Sequence, residues 1–160
     1  MKILVFSDSH GNLNSATKVI EEVKNVDMIF HLGDNVRDAL KIEKIVPYPV
    51  KYVKGNTDIG DAPTELIEEI NGSRLLMTHG HKYGIKANLH KLYNLAVEKG
   101  VKVVLYGHSH VPSREIIGGI LFLNPGSIGD RRQQPNETYG LIDIDIEGNV
   151  QAEIMNIYRE

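Results

Sequence analysis

The sequence predicts a mixed α/β domain, with parallel strands in its first third and more antiparallel strands in its second half. Three patterns support this class. Apolar runs alternate with amphipathic helical segments at the start, the Asn71-Gly72 pair separates two strand-like runs, and short runs joined by glycine-containing turns follow. A βαβαβ order implies parallel pairing through right-handed crossovers, whereas a tight turn implies antiparallel pairing.

Five elements are expected in the first third of the chain. The strands are short apolar runs, and the helices carry apolar residues at helical spacing. Asn14 or Ser15 is the expected N-cap of the first helix, and Pro47 and Pro49 end the second. The expected ranges are strand 2–6, helix 14–24, strand 27–32, helix 36–45 and strand 50–53.

The remainder is expected to hold a hairpin, one helix with Gly100 as its C-cap, and further short strands. The sequence shows no internal repeat, low-complexity tract or linker, so one domain over residues 1–160 is expected. The expected ranges are strands 65–70 and 74–78, helix 88–99, and strands 103–106, 113–117, 120–123, 138–144 and 150–157.

Composition excludes several classes of function. A net charge of −3 gives no electrostatic basis for non-specific nucleic-acid binding, so nucleic acid is expected only as a substrate. The absence of cysteine excludes disulfides, thiolate metal sites and cysteine nucleophiles. The apolar run at 2–6 is too short for a signal peptide or a membrane span, so a cytoplasmic protein without a membrane partner is expected.

Polar segments rich in metal-ligand side chains follow the apolar runs. Carboxylate, amide and imidazole groups together suit Mn²⁺, Fe, Zn²⁺, Ni²⁺ or Co²⁺ better than Ca²⁺ or Mg²⁺. About seven or eight such groups exceed one tetrahedral zinc site and fit two ions roughly 3.5–4 Å apart that share a carboxylate. The segments are Asp8-Ser9-His10, Gly33-Asp34, Gly55-Asn56-Thr57-Asp58, Thr78-His79-Gly80-His81 and Gly107-His108-Ser109-His110.

Each segment alone has a simpler interpretation. Asp-Ser-His after a strand is often a helix N-cap, Gly-Asp is a common turn, and Asn56 with Asp58 fits an Asx turn. His79 and His81 fit histidines at the surface or at the edge of a core. Their joint occurrence at strand ends, where open α/β sheets carry their chemistry, favours one shared site.

The ordered motifs Asp-x-His, Gly-Asp, Gly-Asn-x-Asp, His-Gly-His and Gly-His-x-His resemble those of the calcineurin-like metallophosphoesterase superfamily. The small size and the Asn124-Pro125-Gly126-Ser127 segment resemble its compact prokaryotic branch, the YfcE-like phosphodiesterases. This resemblance implies a four-layer α/β/β/α sandwich with the metals at the sheet ends. It also leaves room for a homo-oligomer, either a dimer or a tetramer.

The resemblance further implies which side chains hold two divalent ions, of which Mn²⁺ is the first expectation. Asp34 is expected to bridge the ions and, with Asn56, to act in catalysis. A bridging hydroxide would attack a small phosphodiester or nucleotide in line. The implied ligands are Asp8, His10 and His110 for the first metal, Asn56, His79 and His108 for the second, and Asp34 for both.

Thr57 departs from the family pattern, because many members carry histidine there as a candidate acid for the leaving oxygen. Threonine cannot supply that proton, and such catalysis is commonly worth about 10²–10⁴-fold. His81 is the candidate substitute, and the alternative is that it supports His79. Asp58 is expected to anchor its loop or a histidine.

Other polar residues are expected to have lesser roles. His31 is expected to be packed or to support the site. Arg131 and Arg132 are more typical of a solvated pair than of a phosphate contact. Ser127 fits either a turn or a hydrogen bond near the site.

Two other functions compete with the phosphodiesterase hypothesis. One is a phosphomonoesterase or nucleotide phosphatase that uses the same site. The other is a non-catalytic protein-binding scaffold, as in a retromer subunit that resembles this fold and has lost part of the histidine set. A degraded site should lack ligands, and the seven implied ligands are all present here.

Overall fold

Two five-stranded sheets form the centre of the fold in the computed structural model, which describes residues 1–158. Three α-helices and a 3₁₀ turn accompany them in this part of the chain. The elements are β1 Lys2–Phe6, α1 Asn14–Glu22, β2 Met28–His31, α2 Val36–Glu43, β3 Val50–Tyr52, β4 Glu65–Ile70, β5 Ser73–Thr78, a 3₁₀ turn His81–Tyr83, α3 His90–Lys99, β6 Val103–Leu105, β7 Ser113–Ile117, β8 Ile120–Asn124, β9 Glu137–Ile144 and β10 Val150–Ile157.

Both sheets are mixed. The first has the order β10-β9-β1-β2-β3, in which β1, β2 and β3 are parallel, as the βαβαβ pattern predicted. Strand β9 joins it antiparallel to β1 and β10. The second has the order β4-β5-β6-β8-β7, with parallel β5, β6 and β8 between antiparallel edges. The second half is therefore more parallel than the sequence suggested.

Three apolar clusters define four layers. Alternation along β1 sends Ile3 and Val5 into the cluster between the sheets, and Leu4 and Phe6 into the cluster beneath α1 and α2. A third cluster joins the outer face of the second sheet to α3 through residues such as Leu92. The order of layers is therefore α/β/β/α, which confirms the expected fold.

The element ends differ in small ways from the expected ranges. Leu13, rather than Asn14 or Ser15, occupies the N-cap of α1, and the side chain of Asn12 accepts a hydrogen bond from the Asn14 N–H at 3.2 Å. The predicted cap was therefore wrong. Gly100 is the C-cap of α3, as predicted, with φ 63°. No helix within residues 1–158 combines the length and apolar character needed to cross a bilayer.

Candidate metal centre

The predicted ligand side chains meet at the carboxyl ends of parallel strands. Asp8 and His10 follow β1, and Asp34 follows β2. Adjacent parallel strands end at the same edge of a sheet, so these loops lie together. The residues form two compact sets, and within each set the ligand atoms all lie within 4.8 Å of one another. One set is Asp8, His10 and His110, and the other is Asp8, Asp34 and His79.

The Asp8 carboxylate lies at the centre of this cluster and is fully buried. Its Oδ2 accepts hydrogen bonds from the Ser7 hydroxyl at 2.6 Å and the His108 N–H at 3.0 Å. Its Oδ1 has no hydrogen-bond partner within residues 1–158. Burial raises the pKa of the Asp8 carboxyl, although nearby imidazoles and hydrogen bonds oppose that rise.

Three imidazole nitrogens surround the Asp8 Oδ1 atom. The Nε2 atoms of His110, His79 and His10 lie 3.4, 3.7 and 3.8 Å from it. A buried carboxylate oxygen without a donor is costly to desolvate, whereas a cation among these atoms would satisfy it. The donor set therefore fits a transition-metal ion.

Asp34 contacts both ligand sets. Its Oδ2 lies 3.3 Å from the His79 Nε2 and 3.8 Å from the His10 Nε2. Its Oδ1 accepts a hydrogen bond from the Thr57 N–H at 3.1 Å. Burial alone would raise the pKa of the Asp34 carboxyl, but His79 and Thr57 together hold it below the usual value. Asp34 is therefore well suited to remain ionised.

Main-chain carbonyls orient two of the imidazoles. The Nδ1 atom of His79 lies 2.8 Å from the Leu32 carbonyl oxygen, and that of His110 lies 2.5 Å from the Asp130 carbonyl oxygen. Because a carbonyl only accepts, each Nδ1 carries a proton, which leaves Nε2, the nitrogen on the Asp8 side, as the atom that can bind a metal when the ring is neutral. This is the tautomer that a metal ligand requires.

The two histidines of the first set face each other. The Nε2 atoms of His10 and His110 are 3.3 Å apart, and their rings stack with centroids separated by 5.1 Å. Two lone pairs at this distance repel unless a proton or a cation lies between them. The contact therefore requires either a hydrogen on one Nε2 atom or a cation between the two.

Asn56 and His108 also contact His79. The Asn56 Oδ1 is 3.0 Å from the His79 Nε2, and its residue is exposed. His108 packs edge-on against the His79 ring, with centroids 5.2 Å apart. It adjoins the cluster but belongs to neither compact set of ligand atoms. Burial, followed by the charges of His79 and Lys86, lowers the pKa of His108 to about 4.

His81 begins the 3₁₀ turn beside these rings. Its ring centroid is 5.5 Å from that of His79 and 6.2 Å from that of His108. Its Nδ1 is buried without a hydrogen-bond partner in the described chain. The Leu32 carbonyl, rather than His81, orients the His79 ring.

The backbone is strained at the predicted ligands. A positive φ is uncommon outside glycine and costs roughly 1–2 kcal/mol per residue. Within residues 1–158, eight non-glycine residues have positive φ, and five of them are predicted ligands. Such conformations concentrate at functional sites. The five are Asp8 (55°), His10 (47°), Asp34 (50°), His108 (72°) and His110 (62°).

A buried hydrogen-bond network supports the loops after β1 and β2. The Ser9 hydroxyl donates to Asp38 Oδ2 at 2.6 Å, and the Gly11 N–H donates to the same oxygen at 2.8 Å. His31 completes it, with its Nε2 2.9 Å from Ser9 Oγ and its Nδ1 accepting from the Gly33 N–H at 3.1 Å. His31 thus supports the site, as one of the two hypotheses held.

Sequence reasoning missed two supporting residues. Asp38 lies in the first turn of α2, where an acidic residue is typical of a solvated helix start, yet it is only 1% exposed. Asn124 ends β8, and its side chain donates to the Gly107 carbonyl at 3.1 Å and to Ser109 Oγ at 3.0 Å. Asn124 was noted only as part of a segment that resembles the family, and no local signal marked Asp38.

Asp58 and Ser127 fix the ligand loops. Asp58 Oδ2 accepts from the Asp34 N–H at 2.9 Å and the Gly55 N–H at 2.8 Å. It therefore anchors its loop and not a histidine. The Ser127 hydroxyl donates to the Asp8 carbonyl at 2.8 Å. Gly107 permits a close approach, because a Cβ there would lie 2.1 Å from Ser7 Oγ and 2.8 Å from Asp8 Oδ2.

The fold and site together define a class: an α/β/β/α sandwich with carboxylate and imidazole ligands at the ends of its strands. The family model of the calcineurin-like phosphoesterase superfamily domain matches residues 1–147. The chain belongs to this superfamily. Membership implies phosphoester hydrolysis with divalent metal ions, and the Asp and His groups described above fit such ions.

Several known proteins are similar to this chain. The probable metallophosphoesterase YsnB of Bacillus subtilis is 38% identical over 149 residues, which cover 91% of this chain and 85% of YsnB. The phosphodiesterase YfcE of Escherichia coli K12 is 29% identical over 172 residues, which cover 91% of this chain and 89% of YfcE.

Solved structures share the fold. A predicted phosphoesterase from Streptococcus pneumoniae superposes with a TM-score of 0.80 at 36% identity, covering 97% of this chain and 88% of that one. Vps29 from Entamoeba histolytica, crystallised with Zn²⁺, superposes with a TM-score of 0.78 at 20% identity, covering 98% and 99% of the two chains. The Vps29 likeness concerns the fold alone.

Proposed function

We propose that this protein is a phosphodiesterase that works with two divalent transition-metal ions. One observation carries the proposal. Among the described residues, 1–158, the buried Asp8 Oδ1 has no hydrogen-bond partner, and three imidazole Nε2 atoms lie 3.4–3.8 Å from it. This is the environment that a cation, rather than a packed core, requires.

The assignment of ligands to the two ions is the one that the family resemblance implies, and the compact set of Asp8, His10 and His110 supports its first half. Asp8, His10 and His110 would hold the first ion, with Mn²⁺ as the first choice. Asn56, His79 and His108 would hold the second. Asp34 would contact both, which is supported by its Oδ2 lying 3.3 Å from His79 Nε2 and 3.8 Å from His10 Nε2.

Two bound cations would lower the pKa of a shared water and stabilise negative charge on the phosphoryl oxygens. The protein's own residues fix the ligand directions. The Leu32 carbonyl keeps the His79 Nε2 free of a proton when the ring is neutral. Asn56 is exposed beside His79, so its side chain is placed to contact a substrate phosphate as well as an ion. His81 is the proposed proton donor to the leaving oxygen, since Thr57 cannot fill that role.

Two features support a diester rather than a monoester substrate. The similar protein YfcE is named a phosphodiesterase. Thr57 replaces the histidine that many family members carry as the acid for the leaving oxygen, which leaves that role to His81 and makes activated diesters the easier substrates. A phosphomonoesterase or nucleotide phosphatase would use the same residues, and a scaffold would need neither ion.

Metal content and hydrolysis test the proposal together. Protein purified without chelator should contain about two transition ions per chain and should hydrolyse bis(4-nitrophenyl) phosphate. Chelation should abolish this activity and added Mn²⁺ should restore it, with folding followed by circular dichroism. A folded protein that binds no ion under added Mn²⁺ would refute the enzyme and favour the scaffold. A higher kcat/KM for 4-nitrophenyl phosphate than for the diester would favour the monoesterase.

A further inference from the structure

A groove of 830 Å³ lies beside the metal centre, outside the ligand set. It is more than twice the volume of the hollow beside Thr57, at 320 Å³, and of the hollow beside Arg131, at 180 Å³. Small-molecule sites are typically about 300–1,000 Å³. The groove therefore has the size of a ligand site rather than of a packing defect.

The walls of the groove are largely apolar and include two aromatic rings. Tyr106 and Ile85 form buried wall, at 4% and 9% exposure, and Tyr93 and Leu89 are half-buried. Strand β7 provides the facing wall. Its residues Ser113, Glu115 and Ile117 line the groove, whereas the alternate residues Arg114 and Ile116 do not. This is the two-residue period of a strand that presents one face to a cavity.

The groove reaches the metal centre. Ser109 lines it and lies between His108 and His110, two of the proposed ligands. Lys86 also lines it, and the Lys86 charge is one of those that act on the His108 ring. A phosphoryl group at the centre would therefore have a cation and the open end of an apolar groove beside it.

We propose that the groove binds an aromatic ester arm of the substrate while the phosphoryl group lies at the metal centre. This inference rests on the proposed phosphodiesterase function and adds a substrate class to it. The tyrosine rings and aliphatic side chains suit a planar apolar group. Lys86, at the metal end of the groove, complements the negative charge of the phosphoryl group. A second copy of the chain bound in the groove would not require this cation.

Two small phosphonates allow the contribution of the ester arm to binding to be measured separately from that of the phosphoryl group. Methylphosphonate and phenylphosphonate share the charged head and differ in the arm, and neither is hydrolysed. Calorimetry on the Mn²⁺-loaded protein should give phenylphosphonate a Kd lower by about tenfold or more, as expected for burial of a phenyl group. Because binding is measured directly, the result does not depend on turnover.

Substitutions on β7 provide a matched pair. Ser113→Trp should fill the groove and abolish the preference for phenylphosphonate, with the Kd of methylphosphonate unchanged. Ile116→Trp places the same side chain on the other face of the strand, at a residue that is 64% exposed, and should keep the preference. Leu89→Ala offers a second groove variant and should reduce the preference by about threefold or more.

Failure of the groove assignment can be distinguished from failure of the proposed phosphodiesterase function. Equal affinity for the two phosphonates in the wild type, with hydrolysis intact, would overturn the groove assignment and leave the phosphodiesterase standing. A Ser113→Trp variant that changes only the oligomeric state in light scattering would instead assign the groove to a second copy of the chain. Absence of Mn²⁺ binding would overturn both proposals.

Discussion

The two sheets hold their ligands in different ways. On the first sheet, titratable side chains support the loops after β1 and β2, through the contacts of Asp38 and His31 with Ser9. On the second sheet, main-chain carbonyls and an amide do so, as where Asn124 binds the Gly107 carbonyl. Carbonyls and amides keep the same charge at every pH, so pH dependence of the support should arise on the first-sheet side.

The two sheets also contribute different types of ligand. Asp8, His10 and Asp34 from the first sheet form the close ligand sets together with His79 and His110 from the second, whereas the rings of His81 and His108 pack against His79 outside those sets. The first-sheet loops thus supply the carboxylates around which the histidines gather. Four expected effects test this contrast.

The largest effect is expected where the two sides meet. Asp34→Asn removes the only carboxylate proposed for both ions and should reduce kcat/KM on an aryl phosphodiester by about 10³-fold or more, given several kcal/mol of lost stabilisation. Metal analysis should show loss of both ions. His108→Ala should also abolish turnover but should retain the ion held by Asp8.

The control is Asp143→Asn, the same change at an exposed residue of β9 paired with Lys2, at the opposite end of β1 from Asp8. It should match the wild type in both measurements. Full activity in Asp34→Asn and His108→Ala would show that the ligand assignment is wrong.

Burial of His31 predicts the next effect, a pH dependence of folding. Burial lowers the pKa of His31 to about 4 from 6.5, against the opposing charges of Asp38 and Asp58. The unfolded chain therefore takes up this proton first as the pH falls. The stability due to the neutral ring is complete above pH 6.5 and is lost between pH 6.5 and 4, by about 3 kcal/mol in all.

His31→Asn tests this, because asparagine can accept the Gly33 N–H without titrating. Urea unfolding of both proteins in EDTA should show the wild-type advantage shrinking by about 3 kcal/mol from pH 7 to pH 4. Groups common to both proteins cancel in this difference. A constant difference across the range would mean that His31 is not held neutral.

How far the sequence could predict this contrast depends on what a motif encodes. Asp8, His10 and Asp34 were found because ligand residues follow apolar runs, and a run of that kind marks a strand end. The parallel centre of the second sheet was missed, since β6 and β8 pair side by side although β7 lies between them in sequence. Pairing partners of short strands are set by tertiary packing, which local periodicity does not report.

The support residues were harder to predict for the same reason. Nothing local distinguishes Asp38 from a solvated acid on α2, because its burial depends on Ser9, 29 positions away. The sequence left two roles for His31, packing in the core or support of the site. The structure decides between them because it gives both ring nitrogens hydrogen-bond partners. The groove beside α3 could not be predicted from the sequence, because its walls come from two separate parts of the chain, the 85–93 segment and β7.

Asp38→Asn should have a smaller effect that is confined to the first-sheet side. The amide oxygen can still accept from the Ser9 hydroxyl and the Gly11 N–H, but it lacks the negative charge that strengthens both hydrogen bonds. Changes to groups that support metal ligands typically cost 10–100-fold in metal affinity. Mn²⁺ titration should therefore show one weakened ion, that of Asp8 and His10. Equal weakening of both ions would contradict separate support.

The smallest effect concerns the leaving-group proton, which either side could supply. Thr57 lies on a first-sheet loop and its N–H donates to Asp34, while His81 lies on the second-sheet side with an Nδ1 that has no hydrogen-bond partner in the part of the chain that the structure describes. Thr57→His should raise kcat/KM for a methyl phenyl diester by about tenfold, part of the usual gain from a placed acid, and leave the 4-nitrophenyl ester nearly unchanged.

His81→Ala should have the converse effect, with a larger loss on the phenyl ester than on the 4-nitrophenyl ester. In the double variant, histidine at position 57 should recover the phenyl ester activity if both residues donate to the same oxygen. Equal losses on both esters in His81→Ala would instead assign His81 to packing against His79 and His108. The proton donor would then have to come from the first-sheet side or from solvent.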